Sequence, residues 1–269
     1  MNMNEQYAAK AFTRQSRIFD ECFSENIIIQ YKRSRVRELV STRLAPNSRI
    51  LELNSGTGED ATWFAEQGHQ VHATDISRGM LNVLNEKITR CGLQNKITTE
   101  LCSFTNLQSL KDKGPYDLIF SNFAGLNCTG EINLVLQHFE ELANPSCLVV
   151  LVIMPGFCLW ETALLFRGKF KTAFRRLFSK KGAKAWVEGV PFTCWYHRPS
   201  TTINTLKSSF KLLKLEGLCS LVPPSYLEHF PEKHPVLFRF LKKKEDRLKS
   251  RWPWKFIGDY YILVMQKKG

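Results

Sequence analysis

Short apolar runs alternate with amphipathic stretches over the first 154 residues. Residues 26–44 carry Ile27, Ile28, Tyr31, Val36, Leu39 and Val40 at helical spacing, and Ala45-Pro46-Asn47-Ser48 closes the segment as a turn. Residues 49–53 (RILEL) predict a strand, a glycine-containing loop covers 54–58, and a helix over 59–67 stops at Gly68. A second strand over 71–74 ends at Asp75, and a helix over 77–91 stops at Gly92. Strands follow at 97–101 and 116–121, then a helix at 131–142. The run at 147–154 (CLVVLVIM) suits a strand buried on both faces. This alternation predicts a doubly wound, mostly parallel α/β sheet, whose ligands bind beyond the strand C-termini where the strand order reverses.

After Met154 the alternation stops. Residues 155–198 form a first insertion, a helix at 201–210 and a strand at 211–221 resume the pattern, 222–257 form a second insertion, and 258–267 is a last strand. Two successive strands without an ordinary crossover helix permit an antiparallel edge pair. No repeat or low-complexity tract interrupts the chain. We therefore expect a single domain over 1–269, with an N-terminal helical cap at 1–45, a ligand-binding core at 46–154, and helical cap insertions at 155–198 and 222–257 that cover a substrate.

The sharpest local signal is LELNSGTGEDA at 51–61, followed by Asp75. Gly56 and Gly58 let the main chain approach a ligand, and Asp75 at the end of the second strand is placed to accept hydrogen bonds from both hydroxyls of a ribose. The pattern Gly56-x-Gly58-x-x-Ala61 also fits a dinucleotide fingerprint. Glu59 and Asp60, however, occupy the helix start where a pyrophosphate would sit, and like charges would meet. S-adenosylmethionine carries no phosphate, and its ammonium and sulfonium are cationic, so acidic residues suit it. Glu52 is expected to face its methionine end, with Asn54 and Ser55 in the same loop.

The chain of 269 residues bears a formal net charge of +13. Residues 1–154 hold 15 Lys and Arg against 17 Asp and Glu, whereas residues 155–269 hold 23 against 8, so the basic surplus belongs to the second half. Such a surface attracts nucleic acid, anionic lipid or an acidic substrate. Eight cysteines are spread singly, with no CxxC and no metal-type pair, which fits a reducing, cytoplasmic setting, and no metal is expected.

Residues 49–90 resemble the first two motifs of the class I S-adenosylmethionine-dependent methyltransferases, especially the bacterial small-molecule group, and YDLIFSN at 116–122 resembles the motif at the fourth strand. The likeness covers residues 26–154 and, more loosely, the two terminal strands. It implies a Rossmann-like seven-stranded sheet with an antiparallel last strand, S-adenosyl-L-methionine as cofactor, and methyl transfer. Two positions depart from the pattern. Asn54 stands where the family has its first glycine, and Asn tolerates left-handed backbone angles better than most residues. Ser103 stands where many members place an Asp for the adenine amine; Ser103 is a candidate acceptor for it, with Ile76 and Phe104 as candidate covers for the ring.

Related enzymes place N-terminal aromatic residues over the donor, which makes Tyr7, Phe12, Phe19 and Tyr31 lid candidates. Arg35 is the candidate for the methionine carboxylate, in competition with Lys32, Arg33 and Arg37. Methyl transfer needs alignment above all, and a general base only where the acceptor arrives protonated. Asn122 and His197 are the candidates nearest the expected acceptor, ahead of Asn127 and His138. Both insertions mix aromatic and basic residues: 157–178 reads as a basic amphipathic helix, and 222–257 repeats the theme. The expected acceptor is a hydrophobic phenolic, polyketide-like or lipid-like small molecule, methylated on oxygen, with peripheral membrane contact through the basic insertions. An RNA methyltransferase, and a non-catalytic membrane- or partner-binding protein of the same fold, are the alternatives. A nicotinamide-dependent oxidoreductase is disfavoured by Glu52, Glu59 and Asp60.

Overall fold

Neighbouring residues of the central strands are buried on opposite faces, and two apolar layers result. In the computed structural model, which describes residues 2–163, 165, 168, 170, 174–177, 179 and 181–269, Ile50, Ala73, Phe120, Val150 and Val264 pack into one layer. Leu51, Leu53, Ile119, Val149 and Leu263 pack into the other. A sheet covered on both sides reads as near-continuous apolar strands, as the sequence does.

The strands are β1 (Arg49–Leu53), β2 (Gln70–Asp75), β3 (Ile97–Leu101), β4 (Tyr116–Ser121), β5 (Ala143–Ile153), β6 (Ala183–Val187), β7 (Val190–Cys194), β8 (Phe210–Leu218) and β9 (Tyr260–Lys267). Seven of them form one sheet in the order β3-β2-β1-β4-β5-β9-β8, with β9 antiparallel to both its neighbours. The expected doubly wound sheet with an antiparallel last strand is therefore present. Leu53 pairs with Ser121 and Asp75 with Leu101, so the C-terminal ends of β1, β2 and β4 lie together at the reversal of strand order between β1 and β4.

The helices are α1 (Met3–Ser24), α2 (Ile27–Ser41), α3 (Glu59–Glu66), α4 (Arg78–Cys91), α5 (Ile132–Leu136), α6 (Phe139–Leu142), α7 (Leu159–Ala163), α8 (Pro199–Leu206), α9 (Phe230–Lys233) and α10 (Pro235–Leu248). The N-terminal cap is two helices, because the Asn26 side chain accepts from the Ile28 and Ile29 amides and starts α2 afresh. The helix expected over 131–142 breaks at Gln137 and His138 into α5 and α6, and β5 begins at Ala143, earlier than the apolar run.

The first insertion differs most from expectation. It holds an antiparallel hairpin, β6–β7, turned at Glu188-Gly189 with φ +47 and +72, the left-handed pair that two-residue hairpin turns require. Val190 and Phe192 of the hairpin pack beneath Ala8 and Ala11 of α1. The amphipathic helix expected over 157–178 falls partly outside the described residues, as do Arg167, Lys169 and Lys171. Of that stretch α7 is helical, and Arg176 is buried on Glu161 and Asp259. The second insertion is helical as expected. Among the described residues no helix is long and apolar enough to cross a membrane.

Candidate active site

The loop after β1 turns by way of three left-handed residues, Asn54 (φ +49), Gly56 (φ +57) and Gly58 (φ +79). Asn54 does more than tolerate that conformation. Its Oδ1 accepts from the Ser121 hydroxyl at 2.7 Å and its Nδ2 donates to the Asn122 carbonyl at 3.0 Å, which pins the end of β1 to the end of β4. A side chain on Gly125 would collide with Asn54, and one on Gly58 with Leu84 of α4. At Gly56, by contrast, the space a Cβ would enter is open and belongs to a cavity.

Asp75 takes a backbone amide on each oxygen, Gly56 at 2.9 Å and Ser77 at 2.7 Å. Burial pushes its carboxyl up and these amides pull it back. A carboxylate has about four acceptor positions, so these amides leave acceptor capacity for a ligand. Glu52 is buried with no partner for Oε2, and the Ser55 hydroxyl is likewise buried and unpartnered. Burial, then the neighbouring Asp60, raise the Glu52 carboxyl well above the usual range, against the pull of Arg33 and Arg37. Asp60 moves the other way. Arg33 and Arg37 each meet it at 2.9 Å and the Asn122 amide donates to it at 2.8 Å, which holds it ionised despite burial. The two acidic residues at the start of α3 are thus matched by cations, Asp60 by these arginines and Glu59 by Lys87. Their exclusion of a phosphate is weaker than the sequence implied.

Helix α1 lies across the loop as a lid. Thr13 bonds Ser77 at 2.8 Å, Asp20 accepts from Thr57 at 2.6 Å and pairs with Lys87 at 3.0 Å, and Asn4 bonds the backbone of Thr193 on β7. Beneath it lie two lobes that both touch Phe12, Phe19, Asn54, Gly56, Asn122 and Phe123. The smaller, about 120 Å³, is bounded by Glu5, Ala8, Asp75, Ile76, Met80 and Phe104. The larger, about 300 Å³, is bounded by Phe23, Ile29, Arg33, Glu52, Val187 and Tyr260.

Of the residues read from sequence, Glu52, Asn54, Ser55, Gly56, Asp75, Ile76, Phe104 and Asn122 meet around these lobes, with Gly58 immediately behind. Of the lid candidates, Phe12 and Phe19 line the lobes and Tyr7 is exposed. Four residues are placed differently. Tyr31 donates to Glu245 on α10, and Arg35 pairs with Glu216 at 3.1 Å and Asp246 at 2.5 Å, both away from the loop. At 100° per residue, positions 31 and 35 share one face of α2 while 33 and 37 share the opposite one. His197 is buried with Nε2 donating to the Thr129 carbonyl at 2.9 Å; burial lowers its pKa, and it does not line either lobe. Ser103 bonds Glu5 rather than lining a lobe. The residues that sequence reading passed over are Glu5 and Phe123, the latter in a left-handed turn with the Arg33 guanidinium 4.8 Å from its ring; Arg33 and Arg37, read only as competitors of Arg35, are the cations that meet Asp60 at the loop. The four-residue spacing of Arg33 and Arg37 was the available signal.

Residues 50–146 match a family model described as a methyltransferase domain. That stretch holds the glycine loop, Asp75 and the β4 end described above, so a methyltransferase domain coincides with the site. Among solved structures, the chain is similar to an S-adenosylmethionine dependent methyltransferase from Mesorhizobium loti, at 17% identity over 87% of this chain and 96% of that one, TM-score 0.57. It is also similar to magnesium protoporphyrin IX methyltransferase from Synechocystis PCC 6803 with bound S-adenosylmethionine, at 13% identity over 100% and 99%, TM-score 0.59. A third is 1,6-didemethyltoxoflavin-N1-methyltransferase from Burkholderia thailandensis with bound 1,6-didemethyltoxoflavin and S-adenosylhomocysteine, at 12% identity over 100% and 92%, TM-score 0.58. At these identities the likeness is one of fold. A search of curated proteins found no match.

Asp75→Asn keeps an acceptor for the Gly56 amide and removes the charge. It is expected to weaken S-adenosylhomocysteine binding about 10- to 100-fold, the range for a hydrogen bond to a charged group, read by calorimetry. An unchanged affinity would remove Asp75 from the donor site.

Proposed function

We propose that the enzyme transfers the methyl group of S-adenosyl-L-methionine to oxygen on a hydrophobic small molecule held in the larger lobe. The observation that carries this reading is the lining of that lobe: Phe12, Phe19, Phe23, Ile29, Val187 and Tyr260 form its walls, and charge is concentrated at the loop end, on Glu52, Asp60 and Arg33. Apolar walls with a few convergent polar groups are the general form of a small-molecule site. The donor supplies, when bound, a methyl carbon activated by a sulfonium. The unpartnered Glu52 oxygen and the open space at Gly56 fit it: Asp75 would take the ribose hydroxyls, Glu52 the ammonium, and Arg33 the carboxylate. Phe12 and Phe19 exclude water and hold the acceptor in line.

No histidine lines the larger lobe among the described residues, so an acceptor that ionises readily, such as a phenol or enol, suits it better than an aliphatic alcohol. That neighbours of the same fold are named for acceptors as different as a magnesium porphyrin and a toxoflavin precursor supports a small-molecule acceptor and leaves its identity to this chain's own cavity. Incubation with methyl-labelled donor and panels of phenolic compounds, lipid extract and RNA should place label in organic-extractable product. Label confined to RNA would overturn the reading.

A second element of the proposal concerns the basic second insertion. Outward on α10 stand Val236, Leu237, Arg239, Phe240, Lys243 and Lys244, with Trp252 beside it; Val236 is 70% and Trp252 79% exposed. Residues 233–255 hold nine Lys and Arg against two acids, of which Glu245 is buried and Asp246 is paired with Arg35 and Lys249. Exposed aromatic and aliphatic groups among cations are the chemistry of contact with an anionic bilayer, each cation near the surface contributing about 1 kcal/mol. The protein is expected to sediment with phosphatidylglycerol vesicles and not with phosphatidylcholine vesicles, less so at high salt, and less so as Phe240→Ala/Trp252→Ala. Salt-steep binding to single-stranded RNA without vesicle binding would assign the surface to nucleic acid instead.

Glu52 yields a pH test. Its raised pKa keeps the proton in the folded, ligand-free protein at pH values where the unfolded chain has lost it. Folding stability therefore falls as pH rises from the unfolded pKa towards the folded one, and donor binding, which needs the ionised form, tightens over the same interval. Glu52→Gln should raise the melting temperature of the ligand-free protein near neutral pH, by about 2–4 °C per kcal/mol for a domain of this size. It should also weaken donor binding and flatten its pH dependence. A pH-dependent affinity that survives in Glu52→Gln would assign the titration to another group.

A further inference from the structure

We propose that Glu5, on the lid helix α1, reads the exocyclic amine of the donor's adenine, so that the base is recognised only with the lid in place; this rests on the donor reading above. The smaller lobe is lined by two carboxylates, Asp75 and Glu5, and by apolar walls, Ala8, Ile76, Met80 and Phe104. Such a lobe suits a flat ring attached to a sugar held by Asp75, with Glu5 as a further carboxylate for the ring's polar edge. Glu5 is 2% exposed, and no lysine or arginine pairs with it among the described residues. Its partners are neutral donors, the Asn2 amide at 3.1 Å, the Ser103 hydroxyl at 3.2 Å and the Thr105 hydroxyl. A buried carboxylate without a counter-ion is costly unless donors surround it, and an amine at the edge of the ring would add one.

Ser103 shows why the task falls to the lid. Its hydroxyl donates to Glu5 at 3.2 Å, so Ser103 orients the acceptor and is not itself the acceptor. The carboxylate comes from an element nearly a hundred residues away in sequence. Because α1 is also tied to Ser77 and Thr57 around the donor loop, its seating would assemble the base-reading group, the Phe12 and Phe19 walls and the loop contacts at one time. The selectivity follows from chemistry. A carboxylate accepts from the 6-amino group of adenine and repels the 6-carbonyl of hypoxanthine.

The test compares S-adenosylhomocysteine with S-inosylhomocysteine, in which a carbonyl replaces the amine, by calorimetry on the full chain. The wild type is expected to prefer S-adenosylhomocysteine by at least tenfold. Glu5→Gln retains the hydrogen-bonded box at the start of α1, since Gln serves there as Glu does, and its amide can donate to the carbonyl, so the preference should collapse or invert. In Glu5→Ala/Ser103→Asp the carboxylate returns on the opposite side of the same contact and the preference should be regained. Preference undiminished in Glu5→Gln, or both ligands weakened in parallel, would overturn the assignment while leaving the donor site intact. Failure of the wild type to bind S-adenosylhomocysteine at all would overturn the donor reading itself.

Discussion

Two carboxylates, Glu52 and Asp60, are buried together at the end of the first strand, and much of the architecture around the site answers the electrostatic cost of putting them there. Water cannot solvate them, so the cations must come from the protein or from a ligand. Arg33 and Arg37 reach Asp60 from one face of α2. They leave Glu52 raised in pKa and short of a partner. A site in which one anion is satisfied internally and its neighbour is not is prepared for a cationic ligand, and that is the property a donor with an ammonium group needs.

The same constraint couples the donor loop to the second insertion through α2. With Arg33 and Arg37 committed to Asp60, the helix must present Tyr31 and Arg35 to the other side, where Glu245, Glu216 and Asp246 receive them. Glu245 in turn accepts the amides of Cys219, Leu221 and Val222 and so fixes the exit of β8. Lys32 makes a third connection, pairing with Asp259 at 2.9 Å, which also receives Arg176 from the first insertion. One helix thus carries three sets of buried polar contacts. A shift in its rotation would leave charges unpaired on both sides, which is expensive enough to fix its register.

The two insertions meet the rest of the molecule by different means. The hairpin β6–β7 supports α1 from beneath, with Phe192 5.7 Å from Phe12, and brings Val187 to the larger lobe. The second insertion turns its buried face to Tyr31 and the sheet and leaves a basic, apolar outer face. The described parts of both insertions therefore do structural work near the cavity.

What the sequence alone determined is whatever depends on local backbone and on period. The strand-loop-helix at 49–66, the left-handed Asn54, Gly56 and Gly58, the position of Asp75 and the two-sided burial of β1, β4 and β5 follow from residue types and their spacing, because backbone angles and the two faces of a strand are set within a few residues. The alternation at 190–194 and the Glu188-Gly189 turn were legible in the same way, although the basic and aromatic content of the insertion obscured them. Only the tertiary structure decided that Arg33 and not Arg35 faces the donor loop, that His197 is spent on the Thr129 carbonyl, and that Glu5 shares a lobe with Asp75, Met80 and Phe104, 70 or more residues away in the chain. Helix α2 carries cations on both faces, so its amphipathicity could not choose between them. The choice was made by buried partners far away in the chain, Asp60 on one side and Glu216 and Glu245 on the other, whose positions exist only once the sheet has formed.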